Sequence, residues 1–351
     1  MTIGRFKYFP LVRTRQAELK ALSHINWTKL PGVCPIVELT ASRRTSKDKV
    51  GDIQKNLDAL ANGINLDRFI LDVTLEPAFS NPQTVRLLDS TDAFQKWRAF
   101  LPNVTCKGLI PAIHIAEDMK PEDLRSEVES LAGNYESLAV RLDYSEPTNA
   151  LYIHEILKVL NDPRRLCVII DGGFIRKNRA ADHESLFRSA IDATKVVGHE
   201  APIFVTLSSS FPSSVVQRDY GRDHEGEFPL EEIVLTRLVQ ERESDAAVVH
   251  GDYATIHPIR YPEIYGGWVP RVDVPLKDEV FYFRYRREEG GYELAAKHVV
   301  EDRRYKSIGS WGNRQIEMAA AGEPEGLSPS HWIAVRVNIH IETQAQIRKA
   351  T

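Results

Sequence analysis

The chain has 351 residues, 42% hydrophobic and 27% charged, with a net charge of −4. This is an ordinary globular composition with ample core, and its negative balance excludes a uniformly basic nucleic-acid binder, so any polyanion site has to be local. No apolar run approaches the ~20 residues that span a bilayer, the first residues carry no secretory core, and Cys34, Cys106 and Cys167 are too scattered for a metal or disulfide pattern, so a cytoplasmic protein with reduced thiols is expected.

Short apolar runs alternate with longer amphipathic stretches. A run at 8–12 precedes a helical pattern over 15–25, and one at 33–39 precedes 48–63, which stops at Gly63. The run 68–75 precedes 83–100. Next, 107–115 precedes 120–133, which opens on proline and acids and closes at Gly133. Runs 137–144 and 166–174 precede helical patterns over 147–161 and 181–197. The seventh run, 202–210, leads into a polar loop and then a helix around VLTRLVQER; the eighth is AAVVHGDY, 246–253. Eight near-continuous apolar strands joined mostly by helices predict an α/β fold, a single (β/α)8 TIM-type barrel covered on its outer face. An open doubly wound sheet is the alternative, disfavoured because no GxGxxG follows the first strand. Residues 1–258 would supply the barrel. Residues 259–351 are too long for one closing helix. They hold an aromatic-basic strand at 281–287, helices near 292–302 and 313–321, and a further helical pattern at 331–341. They are expected to pack on the barrel as a C-terminal extension within one structural domain.

A barrel of this kind presents its chemistry at the carboxyl ends of its strands. In order, those ends read Arg13 and Thr14, Glu38 and Thr40, Asp72 and Thr74, His114, Arg141 and Asp143, Asp171, Thr206 and Ser208, then Asp252, Tyr253 and His257. Acids in such places also cap helices and turns, and a lone strand histidine such as His114 is more often a satisfied core group. A whole ring of carboxylates is harder to explain as architecture, because burying them is costly unless each is paired or used. Several loops beyond the strand ends are basic: Arg43, Arg44, Lys47 and Lys49; Arg176, Lys177 and Arg179; Arg218 and Arg222. The 281–287 strand alternates aromatics with Arg284 and Arg286. Such groups suit phosphates and exposed bases; the plainer alternative is a solvated rim and a half-buried strand. No HExxH, DxD or GxSxG pattern occurs, so no metal and no cofactor is assigned.

The phrase YFPLVRTRQAELKAL (8–22), followed in order by VTLSSSFPSSV, HGDYATIHPIRYPE and SIGSWGNRQIEMAAAGE, resembles the phage-type beta protein family over nearly the whole chain. The resemblance implies a link to phage–host conflict, hence antiviral defence, and no established reaction. It maps recurring polar positions onto Arg13, Glu18, Asp171, Ser210, Asp252, Tyr253, His257, Arg260 and Tyr261, with no roles attached.

The expected function is a hydrolase acting on nucleic acid, more sharply a glycosidic-bond cleavage that excises a base from modified phage DNA. Such chemistry needs a carboxylate beside a developing oxocarbenium ion and a donor for the leaving group, and no metal. Asp252 or Asp171 would be that carboxylate and His257 or Tyr253 the donor, with Asp143 and Glu38 completing the acidic set. Arg13, Arg43, Arg44, Arg141, Arg176, Ser210, Arg260 and Arg284 would bind substrate, and Tyr253 and Trp311 would offer an aromatic shelf. The alternatives are a metal-dependent phosphodiesterase or nuclease using Glu38, Asp72, Asp143 and Asp171, and a non-catalytic sensor that binds a phage component through the basic rim.

Overall fold

A computed structural model describes residues 3–117, 119–146, 149–194, 202–215, 224–259 and 268–349. Eight parallel strands close into a barrel: β1 (Tyr8–Arg13), β2 (Ile36–Leu39), β3 (Phe69–Val73), β4 (Leu109–Ile113), β5 (Leu138–Asp143), β6 (Leu166–Phe174), β7 (Ile203–Ser209) and, after an intervening strand β8 (Glu225–Pro229), β9 (Val248–Asp252). Seven fall within the runs expected from the sequence, and β1 extends one residue beyond its run, to Arg13. The helices between them are α1 (Gln16–Ser23), α2 (Ile53–Gly63), α3 (Pro82–Leu87), α4 (Thr91–Phe100), α5 (Pro121–Ala132), α6 (Asn149–Leu160), α7 (Ala180–Thr194) and α8 (Glu231–Arg242). No helix among the described residues is long and apolar enough to cross a membrane.

Alternation along each strand divides the wall into two faces. Phe9, Leu11, Ile36, Ile70, Ile110, Ala139, Cys167, Ile169, Val205 and Leu207 form one buried cluster, the barrel interior, joined by Ile3 and Phe6. Their neighbours of opposite parity, such as Val12, Val37, Leu71, Val140, Val168 and Phe204, pack in a second cluster against the helices. Gly251 belongs to the inner set: a Cβ there would lie 2.6 Å from Val205 Cγ1. Its lack of a side chain lets β9 close on β7.

Three features depart from the expected pattern. The helix expected over 83–100 is two helices, and the right-handed run is broken at Asp92, Ala93 and Phe94, whose φ values are 51°, 56° and 55°. The polar loop after β7 contains β8, and the single aromatic strand is the centre of an antiparallel sheet in which β11 (Glu279–Arg284) lies between β10 (Arg271–Pro275) and β8. Phe281 and Phe283 face the main core while Tyr282 joins Phe211 and Phe228 on the other side. The chain then runs through α9 (Gly291–Glu301) and α10 (Trp311–Ala320) into α11 (Pro329–Lys349). Helix α11 is buried on most sides, as its all-round apolar pattern demands, and packs on α1, α10 and β10.

Candidate functional site

At the carboxyl end of the barrel the last inward-facing positions are charged. Arg13, Glu38 and Asp72 sit side by side in register on β1, β2 and β3. Arg13 Nε donates to Glu38 Oε1 at 2.8 Å and its Nη2 to the Pro258 carbonyl at 2.6 Å. Arg141 stands among three acids. Its Nη1 donates to Glu38 Oε2 at 2.7 Å and to Asp72 Oδ2 at 3.3 Å, and its Nε donates to Asp171 Oδ2 at 2.9 Å. Tyr253 closes the ring, donating to Asp171 Oδ2 at 2.7 Å and accepting from Arg141 Nη2 at 3.2 Å. The Gly173 amide, whose residue adopts a φ of 60°, donates to the other Asp171 oxygen at 2.9 Å. His114 Nε2 lies 3.3 Å from Asp72 Oδ1.

Burial opposes ionisation of Glu38, yet the Arg13 and Arg141 guanidiniums outweigh it and hold its pKa below the ordinary value. For Asp72 the same burial is overcome by the His114 hydrogen bond and the Arg141 charge. Burial, reinforced by Asp171, pushes the Tyr253 phenol well up, so it stays a hydrogen-bond donor. Arg141 thus lies among the three carboxylates as their shared counter-charge. Among the described residues no group of three or more His, Cys, Asp or Glu side chains is arranged to hold a metal ion.

Asp252 does not belong to this layer. It has the parity opposite to Tyr253 and points out of the barrel, 0% exposed. Tyr8 Oη donates to it at 2.9 Å, His250 Nε2 and His340 Nε2 lie 3.1 and 2.9 Å from Oδ2, and the Ala254 amide donates to Oδ1 at 2.8 Å. Burial drives the His250 pKa down to about 4, so the ring is neutral at physiological pH. Burial also disfavours the Asp252 charge, but His340 and His250 hold its pKa well below the usual carboxylate range. The chain extends from this network through Thr236, 2.8 Å from His250 Nδ1, to Thr206. It ties β9 and β1 to α8 and α11.

Above the charged layer opens a cleft of about 3260 Å³. Among the described residues, nine arginines and lysines line it against three acids, an excess opposite in sign to the chain's net charge. Arg13 forms part of the floor, Arg43 and Arg44 come from the loop after β2, and Arg176, Lys177 and Arg179 follow β6. Phe79 lies beneath two guanidiniums, Arg15 at 4.5 Å and Arg13 at 4.8 Å from its centroid. Trp268, 50% exposed, also lines the cleft, with the Arg287 guanidinium 4.6 Å from its ring centroid. Glu18, near the start of α1, is buried yet lines the cleft, and burial raises its pKa against the opposing charges of Arg15, Arg13 and Arg336.

A Beta protein family model matches residues 8–346. The chain is also 30% identical to Protein beta of Enterobacteria phage P4 over 351 residues, covering 98% of this chain and 94% of that protein. The chain belongs to the Beta protein family. Among solved structures, this Beta protein family member resembles the arginine decarboxylase of Paramecium bursaria Chlorella virus bound to agmatine. The identity is 10% and the TM-score 0.31, over 71% of this chain and 64% of that one, a likeness too slight to bear on function.

The sequence-predicted residues of the Beta protein family chain separate into four groups. Glu38, Arg13, Arg141, Asp171 and Tyr253 come together in the charged layer. Arg43, Arg44, Arg176 and His257 line the cleft. His257 packs against Phe174, with 4.5 Å between ring centroids and the rings tilted by 33°, and burial lowers its pKa. A third group lies elsewhere. Asp252 faces the helices, and the Ser210 hydroxyl donates to buried Glu232 at 2.5 Å. Asp143 is exposed and accepts from the Ser145 amide at 2.8 Å, a turn cap that takes it out of the acid ring. Arg284 sits on β11 outside the cleft lining. Trp311 is buried against His24, 4.2 Å between centroids, and offers no shelf; Tyr253, 2% exposed, offers none either. Finally, Arg260, Tyr261, Arg218 and Arg222 lie outside the described residues. Sequence patterning singled out neither Arg271, Asp273 nor Arg336, all on the cleft wall. The mapping from the family had marked Glu18 without a role.

Proposed function

We propose that this chain is a hydrolase that holds a nucleic-acid strand in the basic cleft and cleaves a glycosidic bond at the charged layer that meets the cleft at Arg13. The observation that carries the reading is that, among the described residues, nine cations line the cleft against three acids on a chain of net charge −4. Arg43, Arg44 and Arg176 are exposed at its rim and fit phosphates; Trp268 fits a stacked base. Asp171 replaces Asp252 as the reacting carboxylate. Its side chain is 14% exposed, against 0% for Asp252, and Arg141, Tyr253 and the Gly173 amide fix its orientation. Glu18 is the proton donor to the departing base, since a carboxyl whose pKa burial raises keeps its proton nearer to neutral pH. His257, also at the cleft, is the second candidate for that proton.

The test incubates the pure protein with modified and unmodified DNA, with and without chelator, scoring abasic sites and strand breaks. Abasic sites that survive chelation, and vanish in Asp171→Asn and Glu18→Gln while DNA binding persists, are the expected result. Breaks that require metal would replace this reading with a phosphodiesterase, and binding without any product would leave a sensor.

A further inference from the structure

We propose that the cleft wall built by β10 and α11 is a phosphate-binding subsite whose cations are Arg271 and Arg336. The inference deepens the proposed function and rests on it in one respect: the same cleft must hold a phosphate-bearing ligand. Arg336, from α11, donates from Nη1 to Asp273 Oδ2 at 2.9 Å. Arg271, from β10, donates from Nη2 to the same oxygen at 3.1 Å, and its Nε lies 2.7 Å from Oδ1. Among the described residues this one acid bonds to both guanidiniums, which leaves the pair with excess positive charge where the cleft meets the core.

Arg336 is only 8% exposed, and its Nε is buried with no acceptor. The guanidinium lies over the Phe211 ring, 4.0 Å from the centroid, with Arg271 5.9 Å from the same ring. An aromatic face holds such a cation in place without neutralising it. Glu18 is the other acid near Arg336, and burial raises its pKa. Burial likewise depresses the Arg336 pKa, against the opposing pull of Asp273. A phosphate group supplies what is missing, namely charge and acceptors matched to a planar guanidinium fork. A neutral base or sugar would leave the imbalance as it is.

The probe is inorganic phosphate, titrated calorimetrically into the full chain at constant ionic strength against chloride. Arg271→Gln should weaken binding by about tenfold or more, the size of a lost charge-assisted hydrogen bond. Arg336→Met should do the same if its circular dichroism is native. If it does not fold, Arg271→Gln decides, because Arg271 is the more exposed of the two. Arg284→Gln, opposite Arg271 on β11 but outside the cleft lining, should leave phosphate affinity unchanged. Equal phosphate affinity in Arg271→Gln and the native chain would overturn the subsite. So would a native chain that binds DNA but no phosphate, and the wider cleft reading would then stand. A chain that binds neither would overturn both.

Discussion

Replacing Arg141 by methionine tests whether the charged layer is held as described. The substitution keeps much of the buried stem and removes a guanidinium that bonds to Glu38, Asp72 and Asp171 at 2.7, 3.3 and 2.9 Å. Glu38 would keep Arg13 and Asp72 would keep His114, but among the described residues no other cation bonds to Asp171. Removing one partner of a buried ion pair costs about 3–5 kcal/mol, and with three carboxylates affected the upper end is expected at pH 7. The sign of the pH dependence follows from the folded-state shifts. In the native chain the pKa values of Glu38 and Asp72 are depressed, so their stabilisation is present above about pH 4 and fades as pH falls through the folded values. In the variant, burial acts with less opposition and raises them, so protonation relieves the strain. The two stability curves should therefore converge on acidification. Urea denaturation midpoints at pH 7 and pH 4 measure this. A deficit below about 1 kcal/mol at pH 7, or one of equal size at both pH values, would refute the account of the layer.

Asp252→Asn should destabilise by about 3–5 kcal/mol, as read by denaturation, because the carboxylate is buried between Tyr8, His250 and His340. Any DNA-cleaving activity measured well below the melting transition should survive it, in contrast to Asp171→Asn. Glu127 is a buried carboxyl whose pKa burial pushes up to about 8, and one of its oxygens has no partner. Its raised value means that stability falls as pH rises from about 4 toward 8. Glu127→Gln should therefore melt higher than the native chain at pH 8 and at the same temperature near pH 4. Charge removal at the rim should show in salt dependence. Each of Arg43→Ala, Arg44→Ala and Arg176→Ala that loses a phosphate contact should reduce the slope of log affinity against log salt by about one. Fluorescence anisotropy across a salt series reads it, and unchanged slopes in all three would place the strand elsewhere.

The barrel was legible because its eight strands are apolar on both faces and each stands apart from the next helix. β8 was not legible: EGEFP carries one apolar residue, Phe228, and becomes a strand only by pairing with β11. The layer of Arg13, Glu38, Asp72, Arg141 and Asp171 was legible as strand-end polarity. What could not be read was parity. Asp252 and Tyr253 are adjacent and must face opposite ways, but no local pattern says which one faces the axis. Val248 and Val249 are equally suited to either side. Register with β1 and β7, fixed through residues far away in sequence, decides it. Arg271, Asp273 and Arg336 lack meaning until α11 packs on β10, which no periodicity announces.

Parity also explains why counting strand-end acids overstates a catalytic ring. Successive side chains alternate across the wall, so an acid near a strand end can as readily face the helices as the mouth. Asp252 and Ser210 are on the helix side, and there they fasten α8 and α11 to the barrel through Glu232, His250 and His340. Those contacts still matter to the site, because α11 carries Arg336 and the cleft wall stands only where that helix is docked. Loss of Asp252 should therefore weaken phosphate binding only as far as it loosens α11. Hydrogen exchange along 329–349 and phosphate affinity should then change together in Asp252→Asn. Lost phosphate binding with the helix fully protected would instead give Asp252 a direct part in the site, against its complete burial.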